Sequence, residues 1–381
     1  MKILHIVYSM SLKTGGLAVA VRGLSKTLAE RGHSVSIYTT DKLEDNGHQG
    51  MEDCDGYKIY RFPGRSFCTF SCSPELKRQL INNISDFDII HIHGLWVYTT
   101  YISAKICQKL NKPYIITTHG MLDNWSFHQG YLKKLIYSKF IEQKNINKAK
   151  AVHFTSEKEK TRSKHFGIKA PQVVIPLGID EKEFIFDGSG DFESGPVQLN
   201  GKRFILFFGR LHSKKGLELL IRAFKRLSTE FMDLKLVIMG SGEDIYVNKI
   251  KGLIKKEDLF DKIHIIDSIS GRERFDVVRK AEFVCLPSKQ ENFGMVLIES
   301  LASKTPVVTS RDVDLSEDIK KYKAGIITDC SVEAVYDACK ILLSDKKLRS
   351  DMGENGKRWV FENFKWPDII NRFEKLYEQC L

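Results

Sequence analysis

The sequence predicts an α/β protein of two doubly wound, mostly parallel sheets, each with helices on both faces. Three observations carry this expectation. Short apolar runs alternate with helical patterns along most of the chain. A length of 381 residues exceeds one ordinary core and suits two. Between Phe186 and Lys202 the run Asp-Gly-Ser-Gly-Asp-Phe-Glu-Ser-Gly-Pro gathers turn formers where the first series stops.

Taken in order, Ile3–Ser9 reads as a first buried strand, and Gly15-Gly16 opens a helix from Leu17 to Arg31. Gly32-His-Ser turns the chain into a second strand, Val35–Thr40. Asp88–His93 and Tyr114–Thr118 are further strands around a helical Tyr101–Leu110, and Ala151–Thr155 and Gln172–Ile175 continue the series. Phe204–Phe208, Lys235–Met239, Lys262–Ile266, Phe283–Leu286 and Val307–Ser310 form the second series. Trp366–Gln379 is a final helix with Pro367 in its first turn. The expected division is 1–186, a linker at 187–202, a second domain at 203–365 and the helix at 366–381. Each half reads as Rossmann-like, with ligands at the carboxyl ends of its strands.

Composition narrows the function classes. With 42% hydrophobic and 28% charged residues the chain folds rather than remaining disordered. No apolar run approaches membrane-spanning length, and Met1–Tyr8 reads as a strand rather than a signal peptide. Eight scattered cysteines without a Cys-x2-Cys pair suit a reduced, cytoplasmic protein. Residues 1–180 hold 25 Lys and Arg against 15 Asp and Glu, so +10 of the net +11 lies in the first half. That excess suits an anionic partner, or else serves solubility. Tyr131–Lys144 mixes lysines and apolar residues at helical spacing, either as a membrane-surface helix or as a domain helix with solvated lysines. Nucleic acid is disfavoured, since no basic-aromatic motif accompanies the charge.

The chemistry is concentrated at strand ends. Glu291-Asn-Phe-Gly-Met-Val-Leu-Ile-Glu299 follows the strand ending at Pro287 and runs through a Gly-containing turn into a helix, Met295–Ser303. A strand, a turn and a helix N-terminus make an anion site, because the first helical N–H groups are unpaired. Eight residues are roughly 2.2 helical turns, so Glu299 is expected on the side that Glu291 faces. Carboxylates beside an anion site suit sugar or ribose hydroxyls, so the element reads as part of a nucleotide-sugar site. Phe208-Gly-Arg-Leu-His-Ser-Lys-Lys-Gly216 places Arg210 and Lys215 after another strand, as a pyrophosphate clamp. Gly240-Ser-Gly242, after the strand ending at Met239, reads as a strand-to-helix turn. Gly15-Gly16 permits close backbone approach to a ligand. In Thr118-His119-Gly120-Met-Leu-Asp-Asn-Trp125, His119 stands at a strand end, where its imidazole can bond a sugar hydroxyl or an acceptor group. His93, before Gly94-Leu-Trp96, is an acceptor-side candidate, and His91 is read as core.

Glu-x7-Glu enclosing Phe293-Gly294, with Gly-Arg-Leu…Lys-Gly upstream, resembles the signature of retaining GT-B glycosyltransferases of glycosyltransferase family 4 (GT4), over nearly the whole chain. The His-Gly-Met-Leu…Trp form is similar to a subgroup common in bacterial polysaccharide gene products. The resemblance implies the GT-B fold, two Rossmann-like domains facing each other across a cleft, with the last helix crossing back to the first domain. It implies a hexosyltransferase that uses a UDP- or GDP-sugar, needs no metal or other cofactor, and glycosylates a hydroxyl of a growing, lipid-linked surface glycan. The partner would be a glycan or polyprenyl-diphosphate-linked acceptor, met at the inner face of the plasma membrane. The catalytic group would be His119, Glu291, Arg210 and Lys215. Donor contacts would come from Gly15, Gly16, Gly209, Arg210, Lys215, Gly240, Gly242, Glu291, Asn292, Phe293, Gly294, Met295 and Glu299. Glu291 would serve the sugar and Glu299 the ribose. His93, Trp96 and Trp125 would lie on the acceptor side. Ser300, Lys304 and Asp267 depart from the family's usual Ala, Gly and Gly. A phosphorylase, a nucleotide-sugar epimerase or a non-catalytic subunit of a glycan-assembly complex are the alternatives.

Overall fold

A computed structural model describes residues 1–11, 15–40, 49–64, 72–123, 137, 141–185, 201–269 and 271–381. The chain forms two compact units, Met1–Gly178 with Trp366–Leu381, and Ile179–Lys365. Residues 187–200 of the expected linker at 187–202, and most of the basic stretch Tyr131–Lys144, lie outside the described residues.

In the first unit the strands are β1 Lys2–Val7, β2 Ser34–Thr40, β3 Gly50–Cys54, β4 Tyr57–Phe62, β5 Ile89–His93, β6 Tyr114–Thr117, β7 Ala151–Phe154 and β8 Gln172–Val174. The helices are α1 Gly16–Glu30, α2 Pro74–Asn83, α3 Tyr98–Lys109, α4 Gln143–Asn147 and α5 Glu157–Arg162. The sheet order is β3-β4-β2-β1-β5-β6-β7-β8, parallel except at the β3–β4 edge. The inner strands are covered on both faces, which is why β1 and β5 read as continuous apolar runs. β3 and β4 are additions to the expected series. They form a hairpin around Asp55-Gly56, with Gly56 at φ 89° and Glu52 paired to Arg61 across the strands at 2.5 Å. α2 starts where Ser73 accepts from the Leu76 N–H and Pro74 occupies the first turn.

The second unit carries β9 Phe204–Phe208, β10 Lys235–Met239, β11 Ile263–Ile266, β12 Val284–Leu286, β13 Val307–Ser310 and β14 Gly325–Thr328. Its helices are α6 Leu217–Glu230, α7 Asp244–Lys256, α8 Glu273–Lys280, α9 Met295–Ala302, α10 Ser316–Lys321, α11 Val332–Ser344 and α12 Lys346–Asn363. The order β11-β10-β9-β12-β13-β14 is parallel throughout. β14 was not in the expected series; every strand that was expected is present, within two residues at its ends.

α13, Trp366–Cys380, belongs to the first unit. Its Trp366 fills a notch made by two glycines: a Cβ at position 23 or 178 would lie 2.4 Å from the indole. Arg31 holds Glu374 at 3.0 Å and Asn371 at 3.0 Å, fixing the helix beside α1. Both sheets have a topological switch point, between β1 and β5 in one unit and between β9 and β12 in the other. A crevice opens at such points outside the carboxyl ends of the strands, so the sheet order itself selects two places for a ligand.

Candidate active site

In the second unit the switch point brings two loops together that lie 76 residues apart in sequence. The Gly209–Gly216 loop leaves β9, and the Pro287–Gly294 loop leaves β12. Lys289 N–H donates to the Lys214 carbonyl at 2.7 Å. Gly216 sits at φ 71° as the N-cap of α6, and a Cβ there would lie 2.0 Å from the Pro287 carbonyl oxygen. Only glycine allows this approach. It seats Lys215 in a buried position, 7% exposed, where its Nζ makes an ion pair with Glu291 Oε2. His212 caps the turn by accepting from the Lys214 N–H at 3.2 Å, and partial burial with Arg210 nearby lowers its pKa, which keeps that nitrogen free to accept. Arg210 is exposed and makes no ion pair among the described residues.

Glu291 is held by its backbone, pairing in parallel with Val313 and accepting the Asp314 N–H at 3.1 Å. Phe293 at φ 45° is buried against Phe364, with ring centroids 5.6 Å apart. Gly294 follows at φ 80° and caps α9, which places Met295 in the first turn of that helix. These left-handed residues overturn the helical count between the two glutamates, since only residues from Met295 onward are helical. The acids therefore take different partners. Glu299 is 6% exposed and accepts from Arg274 at 3.1 Å. Burial raises its carboxyl pKa, while Arg274 pulls in the opposite direction. Arg274 also stacks over Phe275, 4.3 Å from the ring centre. No motif in the sequence points to Arg274.

Gly240-Ser-Gly242 packs directly on the clamp loop. Gly209 N–H donates to Met239 O at 3.0 Å and Leu211 N–H to Ser241 O at 2.8 Å. A Cβ at Gly240 would meet the Gly209 oxygen at 1.9 Å, and one at Gly242 the Leu211 oxygen at 2.3 Å. Their glycine identity is accounted for by this backbone contact.

In the first unit, Gly15 caps α1 at φ 78°, and a Cβ there would meet nothing within 4 Å, so the backbone angle is the requirement. Gly16 is the first helical residue. His119 is partly buried at φ 48°. Its turn is held by Glu159, which accepts from Thr118 Oγ1 at 2.5 Å, Gly120 N–H at 2.5 Å, Thr155 N–H at 2.7 Å and Thr155 Oγ1 at 2.8 Å. Glu159 was not among the expected residues, although Ser156-x-x-Glu159 has the spacing of a capping box. Trp96, at φ 66°, donates its indole N–H to Met121 O at 3.0 Å and its backbone N–H to Glu142 at 3.2 Å. Burial pushes the Glu142 carboxyl up to about 7. Trp125 lies outside the described residues.

His93 is joined to His119, Nδ1 to Nε2, at 3.1 Å, and to His5, Nε2 to Nδ1, at 2.9 Å. Nitrogens of His5, His91 and His93 lie within 4.8 Å of one another, a spacing that a metal ion can use. His91 spends both nitrogens on Tyr377 and Thr117, and the His5–His93 bond occupies two more. With the His93–His119 bond, hydrogen bonds use five of the six nitrogens, and His5 Nε2 has no partner among the described residues. Burial pushes His5 and His119 down to about 3 and His153 to about 4, and holds His91 and His93 well below the usual range.

The Glycosyltransferase Family 4 model matches residues 14–183, and the Glycosyl transferases group 1 model matches residues 192–359. An uncharacterized glycosyltransferase of Methanocaldococcus jannaschii is 27% identical, covering 96% of this chain and 94% of its own. The GDP-mannose:cellobiosyl-diphosphopolyprenol alpha-mannosyltransferase of Xanthomonas oryzae is 21% identical over 100% of this chain and 97% of its own. The crystal structure of Anabaena HepE in complex with UDP-glucose superposes with a TM-score of 0.81 at 17% identity, covering 99% of each chain. With two family models together spanning most of its length, the chain belongs to glycosyltransferase family 4 and is a glycosyltransferase.

Proposed function

We propose that this glycosyltransferase moves a hexose from a UDP- or GDP-sugar to a hydroxyl of a lipid-linked glycan, with retention of configuration. The observation that carries the donor assignment is the switch-point pair of loops, with exposed Arg210, buried Lys215 and the α9 N-terminus at the carboxyl ends of the central strands β9 and β12. A nucleoside diphosphate gains charge as its bond to the sugar breaks. Fixed cations and unpaired N–H groups stabilise that charge without reorganising. Arg210 offers a bidentate fork, and Lys215 a point charge whose position Glu291 fixes. Since Glu291 balances Lys215, the net attraction for the departing diphosphate comes chiefly from Arg210 and the α9 N–H groups.

In the reaction the anomeric C–O bond breaks and its electron pair leaves with the diphosphate. The acceptor oxygen then bonds the same face of the anomeric carbon, and its proton passes to the departing phosphate oxygen. Glu291 positions the sugar, and His119 bonds one of its hydroxyls. Glu299, whose second oxygen is not used by Arg274, serves the ribose. The UDP-glucose complex of HepE supports a nucleotide-sugar donor, and the Xanthomonas relative supports a polyprenol-linked acceptor. The basic balance of residues 1–180 suits such an anionic acceptor. No helix among the described residues is long and apolar enough to cross a membrane.

The test is nucleotide release by the purified protein across UDP-, GDP- and ADP-sugars, with and without a polyprenyl-diphosphate glycan. One donor should release nucleotide faster when acceptor is present, and Arg210→Ala and Glu291→Ala should each reduce transfer at least about 100-fold. Full activity in both variants would remove the site assignment.

A further inference from the structure

Five imidazoles of the first unit lie in two hydrogen-bonded chains. The first runs from the Ile175 carbonyl through His153, Thr117 and His91 to Tyr377, with separations of 2.7, 2.8, 2.6 and 2.8 Å. The second runs from His119 through His93 to His5. A carbonyl only accepts, so it orders every proton in the first chain. His153 carries its proton on Nε2 and gives it to Ile175. Its Nδ1 therefore accepts from the Thr117 hydroxyl, which in turn accepts from His91 Nε2–H. His91 Nδ1 is left to accept from Tyr377.

The second chain is ordered by its buried end. His5 is fully buried, and its Nε2 has no hydrogen-bond partner among the described residues. A buried N–H without an acceptor is rarer than a buried acceptor without a donor. The proton of His5 is therefore on Nδ1, donated to His93 Nε2. His93, neutral in its burial, then carries its proton on Nδ1 and donates to His119 Nε2. His119 is left with its proton on Nδ1, an atom that makes no hydrogen bond within the described residues.

We infer that His5 and His93 are positioning residues that fix His119 as the Nδ1–H tautomer, so that it meets its ligand as a hydrogen-bond donor to a sugar oxygen. The inference rests on His119 being the sugar-contacting residue proposed above. It also assigns a job to the buried end of the chain: a nitrogen in the core without a partner among the described residues decides which atom of His119 holds the proton.

Long-range nitrogen–proton correlation spectra of histidine-labelled protein read each tautomer directly, with peaks assigned by single His→Gln variants. His5, His93 and His119 should be protonated on Nδ1, and His91 and His153 on Nε2. A His119 found mainly as Nε2–H overturns the inference. In His5→Leu the bare buried nitrogen becomes His93 Nε2, and the same preference keeps its proton on Nδ1, so the His119 ratio should hold. His5→Asp, whose ionised carboxylate accepts and does not donate, should draw the proton to His93 Nε2 and move the His119 ratio toward Nε2–H by about tenfold or more. His91 and His153 should stay as they are. His5→Asn, whose amide N–H can replace Nδ1–H, should keep the ratio of the unaltered protein, whereas a ratio indifferent to His5→Asp refutes the relay. If the Asp variant does not fold, the spectrum of the unaltered protein still decides. Sugar transfer by His119→Ala separates the two layers. An active variant sinks the role of His119, while the spectra alone judge the proton order.

Discussion

Lowering the pH from 7.5 to 5.5 is expected to unfold the first unit preferentially, because its sheet encloses imidazoles that cannot accept a proton in place. The sign follows from the direction of the shifts. His5 and His119 are held down to about 3 and His153 to about 4, against 6.5 in an exposed chain. Below that ordinary value the unfolded state binds protons that the folded state refuses, so stability present above pH 6.5 is lost as the pH falls. Each of these three loses ~1.4 kcal/mol over the interval, or ~4 kcal/mol together. His91 and His93, also well below the usual range, add in the same direction. Glu142 works against them. Its folded pKa of about 7 lies above the ordinary 4.5, so its ionisation penalty shrinks on acidification and returns ~2 kcal/mol. Glu159, raised by burial, pulls the same way as Glu142. The balance is a loss of at least ~2 kcal/mol, a large share of the 5–15 kcal/mol typical of a domain.

Hydrogen exchange, corrected for its intrinsic pH dependence, reads each unit separately. Peptides covering β5 should lose protection between pH 7.5 and 5.5, and peptides covering β9 should lose less. In the second unit the shifted histidines His212 and His264 are only partly buried, and Glu299 moves in the opposite sense. Protection of β5 that is flat or rising as the pH drops would show that the imidazoles take protons without disturbing the sheet, and the account of their burial would be wrong.

Gly216→Ala combines a left-handed backbone with a Cβ driven 2.0 Å from Pro287 O, so chemical denaturation of the second unit should show a loss of ~2–4 kcal/mol. Lys304→Gly acts the other way: Lys304 sits at φ 63° just after α9, and relief of that strain should raise stability by up to ~1 kcal/mol. The exposed Lys304–Glu354 pair lost with it is worth little, so a melting temperature that falls would refute the strain argument. Glu159→Gln keeps the shape but turns an NH2 toward donors that the carboxylate accepted, and should cost ~2–3 kcal/mol in urea titrations. An unchanged midpoint would mean that the His119 turn does not depend on it.

The strand series was legible because strands of a sheet covered on both faces are apolar without interruption, as in Phe204–Phe208 and Lys235–Met239. β3 was not, since Gly50–Cys54 is an edge strand with exposed, acidic positions and no apolar run. Its only cue was Asp55-Gly56 between two short segments. At the site, each loop could be read from its own strand end, but the Lys215–Glu291 pair needed the fact that β9 and β12 are neighbours. Strand order is a property of the whole sheet, and no local pattern encodes it. The histidine chain shows the same limit. His91 and His93 share a face of β5 by the two-residue period, but His5 joins them only through the register of β1 on β5, His5 opposite His91 and Val7 opposite His93. Arg274 lay beyond reach because it sits inside an ordinary helix and acts on a residue 25 positions away.

The two glutamates that frame the Phe-Gly turn now differ in physical kind. Glu291 neutralises Lys215, so this buried cation is already balanced, and under the proposed donor assignment attraction for a diphosphate falls more heavily on Arg210, exposed and without an ion pair among the described residues. Removing Glu291 would leave a buried ammonium uncompensated. Removing Lys215 would leave a carboxylate beside an incoming anion. The pair is therefore better regarded as one device that fixes a position than as an acid and a base acting independently. Glu299 is restrained in a similar way by Arg274, and its burial means that any hydroxyl it binds must be brought to it in a dry, prearranged setting. A hydrogen bond made there is worth more than one at the surface, and a ligand that cannot donate leaves a buried carboxylate oxygen unsatisfied. Under the proposed donor assignment, discrimination for a hydroxylated ligand at Glu299 comes from the cost of the unmade bond, while Arg210 supplies attraction common to any diphosphate.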